Sequence, residues 1–339
     1  MRTFWSWFRI LAGFAIIGVL AWRLGTAAFV DGLRVIGFGP VLAALAIGLL
    51  TTVVSAERWR VVASRLGLRL PLRRAVADYY RAQFLNGVLP AGILGDVHRA
   101  VEHGRQSGSV ARGVRAVVLE RTAGQVVVVA AGLAVLIFRP AVLPAFAHDL
   151  LTIAGAVVLV VSAAVLTVAC TTGDQWLYSG SKWRRTFAES MADVRAGLLA
   201  LRTWPRVTAL SLVALAGHLT LFVVAAHAAG ATASLPTLLP LLVLALLVMG
   251  LPINVGGFGP REGVAALAFA AAGLGAQQGV TVAVVYGLLG LVSTAPGGAV
   301  LLVQWLGALR RPVVAVASVG PVVSAEVVEA ARVPAHSAA

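Results

Sequence analysis

Five stretches of this chain, Ile10 to Val30, Pro40 to Ala56, Val114 to Phe138, Leu150 to Thr172 and Val207 to Gly230, are apolar over lengths near the ~20 residues a helix needs to cross hydrocarbon. A further apolar stretch fills most of Leu235 to Gly307, interrupted by Gly and Pro. With 60% apolar and 12% charged residues in 339, a water-soluble fold would be left with large greasy surfaces. The expected fold is all-α: a polytopic membrane bundle of about 7–8 crossings with two broken, re-entrant hairpins. The membrane domain is expected over residues 1–311, and an Ala/Val/Pro-rich disordered tail over 312–339.

Arg2 and Arg9 precede the first apolar run, as in a signal peptide, but the spans that follow favour an uncleaved first helix. Cys170 is the only cysteine, so disulfides within the chain and cysteine-based metal sites are excluded.

The net charge of +14 is confined to particular connections. Arg58, Arg60, Arg65, Arg69, Arg73 and Arg74 follow the second span, Arg99, Arg105, Arg112 and Arg115 precede the third, and Lys182, Arg184, Arg185, Arg195, Arg202 and Arg206 lie between the fourth and fifth. The intervening segments Pro140 to Asp149 and Ala228 to Pro236 carry no Lys or Arg. This alternation reads as a multi-pass protein of the cell membrane with a cytoplasmic N-terminus, and it accounts for the basicity without nucleic acid. A second role, holding anionic lipid heads, is worth about 1 kcal/mol per basic residue near the surface. Between the fourth and fifth spans, Trp183, Phe187, Met191, Val194, Leu198 and Leu201 form one helical stripe. That pattern suits a helix lying on the membrane surface or packed on the ends of the spans.

Two segments break the apolar pattern in related ways. FLNGVLPAGILGDVHR, from Phe84, and LVMGLPINVGGFGPRE, from Leu247, superpose Leu89 on Leu251, Pro90 on Pro252, Gly95 on Gly257 and Arg99 on Arg261 at a shift of 162. The same shift lays Pro40 to Ala56 over Arg202 to His218, so the chain reads as two related halves, approximately 38–138 and 200–300. Three crossings between the motifs would turn the halves upside down relative to each other, the transporter pattern in which short interrupted segments mark the substrate site. A rival count, with Leu235 to Gly250 as a full span, puts both motifs on the cytoplasmic side; inversion is the reading adopted. Asn86, Pro90, Gly95, Pro252, Asn254, Gly256, Gly257 and Gly259, together with Pro296, Gly297 and Gly298, are the expected hairpin backbone. A helix that stops within the membrane leaves N–H and C=O groups that only protein or a wet cavity can satisfy. Its free N–H groups offer a seat for phosphate or carboxylate.

Ionisable groups beside these breaks are the main functional signal, because each costs about 2.5–3.5 kcal/mol at mid-membrane even on a mild scale. They are Asp96 with Arg99, Arg261 with Glu262, and Glu120 with Arg121. Arginine's planar fork suits a phosphate or carboxylate, but these groups could equally stitch the hairpins to their neighbours. Other chemistries have no basis in the sequence. The only lysine, Lys182, follows Ser181 and so makes no P-loop. His98 to His103 is one residue longer than the H-x-x-E-H zinc motif, and no metal site or cofactor is expected.

At LPAGILGDVHRA, LERTAG, GGFGPRE and APGG the chain resembles the membrane domain of lysylphosphatidylglycerol synthases, a flippase-like domain also found alone, over roughly Ala12 to Arg311. Leu94 departs from the family's Gly-Gly-Asp, and Pro260 precedes the arginine. The resemblance implies translocation of an anionic or aminoacylated phospholipid, or another lipid-linked substrate, without ATP hydrolysis and without an enzymatic step. Arg99 and Arg261 are expected to receive the lipid phosphate while Asp96 and Glu262 hold them. A separate lipid-modifying transferase is an expected partner. The alternatives are a non-transporting anchor subunit for such an enzyme, or a membrane transferase acting on a lipid-linked sugar.

Overall fold

The computed structural model describes residues 36–89, 92–139, 203–249 and 260–309, with a few helical positions between 152 and 160. Its helices are α1 (Phe38–Arg65), α2 (Leu72–Val88), α3 (Leu94–Gln106), α4 (Val110–Phe138), α5 (Trp204–Ala228), α6 (Leu235–Met249), α7 (Pro260–Ala271) and α8 (Ala276–Leu309), with no strand among the described residues. Of these, α1, α4, α5 and α8 are long and apolar enough to cross a membrane. Leu42, Leu49, Leu50 and Leu212 lie exposed along them, as lipid-facing side chains do. The protein is a polytopic helical membrane protein. The expected spans Ile10 to Val30 and most of Leu150 to Thr172, the amphipathic stretch from Trp183 to Leu201, and residues 312–339 lie outside the described residues. The described residues up to Leu301 belong to one compact unit; of the second, 302–339, only the end of α8 is described.

Local sequence sets the boundaries. Gly67, with φ 73°, turns the chain after α1, and Pro71 precedes α2. The Ser109 side chain accepts the Arg112 N–H at the start of α4, and Pro205 occupies the first turn of α5. In α6, too short to span, every residue from Leu241 to Val248 is buried, the expected outcome for a helix that is apolar on all sides.

The duplication is plain in the succession of lengths. Helices of 28, 17, 13 and 29 residues are followed by helices of 25, 15, 12 and 34. The second set starts 166, 163, 166 and 166 residues after the first. Contacts repeat as well. A Cβ on Gly113 would meet the Ala100 carbonyl at 2.4 Å, and one on Gly279, 166 positions later, would meet the Ala265 carbonyl at 2.3 Å. Gly132 of α4 packs on Leu247 of α6, and its counterpart Gly298 of α8 packs on Phe84 of α2.

The central helices fix the direction of the halves. Thr51 of α1 touches Gly217 of α5, its own counterpart. Along the same pair Arg58 bonds Ser211 and Glu57 bonds Arg206, so residue numbers rise on α1 as they fall on α5. Two equivalent spans that cross antiparallel at equivalent residues are related by a two-fold axis perpendicular to them. The halves are therefore inverted, as the crossing count favoured.

The α2–α3 hairpin enters beside the C-terminal end of α1. It reaches Thr52, near the midpoint of α1, through Thr52 Oγ1 donating to Gln83 Oε1 at 2.8 Å. Gly92 takes φ 62° ahead of α3, which then returns to lay Gly104 on Val110 at the start of α4. The α6–α7 hairpin begins at the C-terminal end of α5, on the opposite side. Its tip residues Pro252, Asn254, Gly256, Gly257 and Gly259, like Pro90, lie outside the described residues.

Two expectations need correction. Pro296, Gly297 and Gly298 are not hairpin backbone: α8 runs unbroken through them. Their role is steric, since a Cβ on Gly297 would come 2.2 Å from the Tyr80 carbonyl, so the glycines form the seat on which α2 rests. The shift of 162 that pairs Arg99 with Arg261 also differs from the helix register of 166, in which Glu262 matches Asp96. Four residues is close to one helical turn, so both arginines keep the same face about 6 Å apart in depth.

Candidate functional site

The first hairpin holds a buried ionic network. Glu120 of α4, fully buried, accepts from Arg58 Nε at 3.0 Å and Nη2 at 2.5 Å, from Tyr79 Oη at 3.1 Å, and, at its other oxygen, from Arg99 Nη2 at 3.1 Å. Arg58 Nη1 donates to Ser211 Oγ at 3.0 Å, tying α5 to the same point. Arg99 Nη2 also donates to Asp96 Oδ1 at 2.8 Å. Asp96 Oδ2 takes Asn86 Nδ2 at 2.8 Å and Arg121 Nη2 at 2.7 Å. Asn86 Oδ1 accepts the Gly95 N–H at 2.8 Å, so one amide fastens the end of α2 to the free N-terminus of α3. Gly95 is needed there because a Cβ would lie 2.1 Å from the Ala82 carbonyl.

The arginines differ in access. Arg99 is 1% exposed, its guanidinium between the Trp59 and Tyr79 rings at 4.5 and 4.4 Å. Arg121, about 16 Å into α4 by helical rise, is 45% exposed while its Asp96 partner is 14% exposed. Three arginines, Arg58, Arg99 and Arg121, face two carboxylates, Glu120 and Asp96, leaving one positive charge in excess. The Arg121 and Arg99 guanidiniums and the Asn86 amide all donate to the Asp96 carboxylate, which offsets the cost of burying it.

The second hairpin carries a smaller group. Arg261 is buried, donates to Glu262 Oε1 at 3.1 and 2.5 Å, lies against the Met249 sulfur and sits 5.3 Å over the Tyr286 ring. Tyr286 stacks on Phe222 at 4.0 Å and shares a hydrogen bond with His218 Nδ1 at 3.4 Å. Tyr286 occupies the position that corresponds to Glu120, 166 residues on.

Of the residues expected from sequence, the structure brings together Asp96, Arg99, Glu120 and Arg121, with Asn86 and Gly95, and places Arg261 with Glu262 apart from them. Sequence reading missed Arg58, Tyr79, Ser211 and His218. It ended the second span at Ala56 and left Arg58 in a basic loop, whereas α1 continues to Arg65 and buries that side chain. The tell-tale was the acid and aromatic of ERWR directly after an apolar run. Among the described residues no group of three or more His, Cys, Asp or Glu could hold a metal ion.

No curated protein and no solved structure matches the chain. Residues 8–297, which contain both hairpins and the ionic network, match the family described as Lysylphosphatidylglycerol synthase TM region, and the chain belongs to that family.

Proposed function

We propose that this protein moves a lipid with an anionic headgroup, an anionic or aminoacylated phospholipid or another lipid-linked substrate, between leaflets without hydrolysing ATP and without an enzymatic step. Family membership supports a role in lipid modification or translocation. The observation that carries the finer reading is the excess positive charge of the network around the first hairpin, presented on half-exposed Arg121 of α4, part-way along that span. A guanidinium there loses hydration, so an anion that replaces part of its Asp96 contact gains strongly. In this reading Arg99 is a positioning residue, clamped between rings with Asp96 and Glu120, and Arg121 is the group that meets the headgroup. The opposed hairpin, with Arg261 and Glu262, receives it from the other leaflet.

The basic connection from Arg60 to Arg74, between α1 and α2, and the uncharged end of α5, from Ala228 to Pro236, fit a cytoplasmic entrance for the first hairpin and a cytoplasmic N-terminus in the cell membrane. A lipid-modifying transferase encoded separately is the partner this reading calls for. The test is reconstitution in liposomes with a labelled phosphatidylglycerol. Leaflet exchange faster than in protein-free vesicles, and slowed in Arg121→Ala, supports translocation; exchange no faster than in protein-free vesicles refutes it.

A further inference from the structure

The connection between α1 and α2 borders a cleft that the hairpin network does not use. It encloses about 490 Å³ and is lined by Arg60 and Ser64 of α1 and by Gly67 to Pro71. Its wall is set by local sequence. Leu66, Leu68 and Leu70 are buried in the core that contains Trp59, Val62 and Tyr79, while Gly67, Arg69 and Pro71 are exposed, the alternation of an extended segment. The Leu66 and Leu68 N–H groups both donate to the Ala63 carbonyl at 3.0 Å and fasten the segment to the end of α1. Depth follows from symmetry. The axis between the inverted halves passes the Thr51–Gly217 contact and lies in the membrane plane, so Thr51 marks the middle of the bilayer. Along a helix near the membrane normal, Arg60 stands about 14 Å and Ser64 about 20 Å from that level, against ~15 Å of hydrocarbon per leaflet. The cleft opens where lipid phosphates lie.

The charges around the cleft are mostly of one sign. Arg60 Nε and Nη2 donate to the two Glu57 oxygens at 2.6 and 2.8 Å, which fixes the guanidinium and leaves Nη1 without a partner among the described residues. Glu57 also accepts from Arg206 of α5, so two arginines share one carboxylate. Arg69 is exposed in the wall, and Nη1 of Arg112 lies 3.7 Å from where a Gly67 Cβ would stand; neither guanidinium meets an acid among the described residues. We propose that this cleft holds the phosphate of an anionic phospholipid from the leaflet at this end of α1, a resident lipid separate from any that passes the hairpins. Such a lipid is held whether or not the protein translocates. A phosphate that reaches Arg60 Nη1 and Arg69 makes charge-assisted contacts at the edge of the hydrocarbon, where they gain more than in bulk water. Phosphatidylcholine brings the same phosphate with a trimethylammonium cation that the arginines repel, so the class selected is net anionic.

The experiment is native mass spectrometry of the full chain, delipidated in detergent and titrated with phosphatidylglycerol, phosphatidylcholine or inorganic phosphate. The first phosphatidylglycerol should bind about tenfold tighter than phosphatidylcholine, the scale of one charge-assisted contact. Arg60→Gln combined with Arg69→Gln should abolish the preference. Its melting point should stay near that of the wild type, because neither side chain is buried and Arg206 still pairs with Glu57. Arg121→Ala, which alters the hairpin site instead, should keep the preference. As a second measurement that needs no substitution, phosphatidylglycerol with a photoreactive headgroup should label the wild type between Arg60 and Pro71. Equal affinity for the two lipids, a preference unchanged in the double variant or lost in Arg121→Ala, or labelling confined to other connections overturns the site. Displacement of the lipid by an equal concentration of inorganic phosphate assigns the cleft to a soluble phosphate and overturns its lipid occupant.

Discussion

Thr51 and Gly217 occupy the same position in the two halves of this protein, and they touch each other. A Cβ on Gly217 would come 2.3 Å from Thr51 Cγ2, with the Thr51 hydroxyl already bonded to the Ile47 and Gly48 carbonyls. The threonine cannot swing away without giving up those bonds. Gly217→Ala should therefore destabilise the protein by about 1–3 kcal/mol through overpacking. Thr51→Ser in the same chain removes the offending methyl and should restore most of the loss. Thermal unfolding of the single and double variants in detergent checks this; equal melting points for Gly217→Ala with and without Thr51→Ser would sink it.

Inversion makes a prediction about sides. In a Cys170→Ala background, cysteines placed at Arg69, after α1, and at Thr232, after α5, should react with an impermeant maleimide from opposite faces of sealed vesicles. Labelling of both from one face would mean the halves are parallel.

Glu120 anchors the network by neutralising Arg58 and Arg99, both buried. Glu120→Ala leaves two buried guanidiniums short of an anion and should cost about 3–5 kcal/mol, measured by unfolding in detergent. Glu120→Gln fills the space without the charge and should be destabilised as well. A melting point unchanged in both variants would show that the network is not structural.

Arg121 should behave differently. Arg121→Ala removes a half-exposed side chain, so the fold should persist with a melting point close to that of the wild type, while lipid exchange falls roughly tenfold or more for loss of a charge-assisted contact of ~1.5–3 kcal/mol. Rates measured in parallel with melting separate the two effects.

His103 gives a pH signature outside the spans. It is buried at the end of α3 with its ring edge to Trp59 at 5.4 Å, and burial pushes its pKa below the ordinary histidine value. A group depressed in the folded state contributes stability that is complete above its unfolded pKa and fades as pH falls through the folded one. Thermal stability should drop on acidification below about 6.5. His103→Phe should flatten that drop, and an identical slope in the variant would refute it.

The sequence made the membrane class, the main spans and the existence of two related breaks legible, because hydrophobic length and Gly/Pro placement act locally. It could not reveal the partners of Glu120, since Arg58, Tyr79 and Arg99 reach it from three other helices, Ser211 joins through Arg58 from a fourth, and no local pattern encodes that convergence. The glycines of α8 were misread for a related reason. A Gly beside Pro signals a break as readily as it signals a close-packed seat, and the difference lies in Tyr80 and Phe84, more than two hundred residues earlier. Even the repeat register slipped by one turn, because identities cluster at the hairpin tips while the helices align by what they pack against.

Where the first half has Glu120, the second has Tyr286, a neutral ring in place of a charge. Ionic bonds tie three helices together in the first network, whereas Arg261 pairs with its chain neighbour Glu262 and meets other helices through the Tyr286 ring and the Met249 sulfur. The two hairpins, alike in outline, are thus fastened differently: one is laced to its neighbours by charge, the other leans on them through a ring and a thioether.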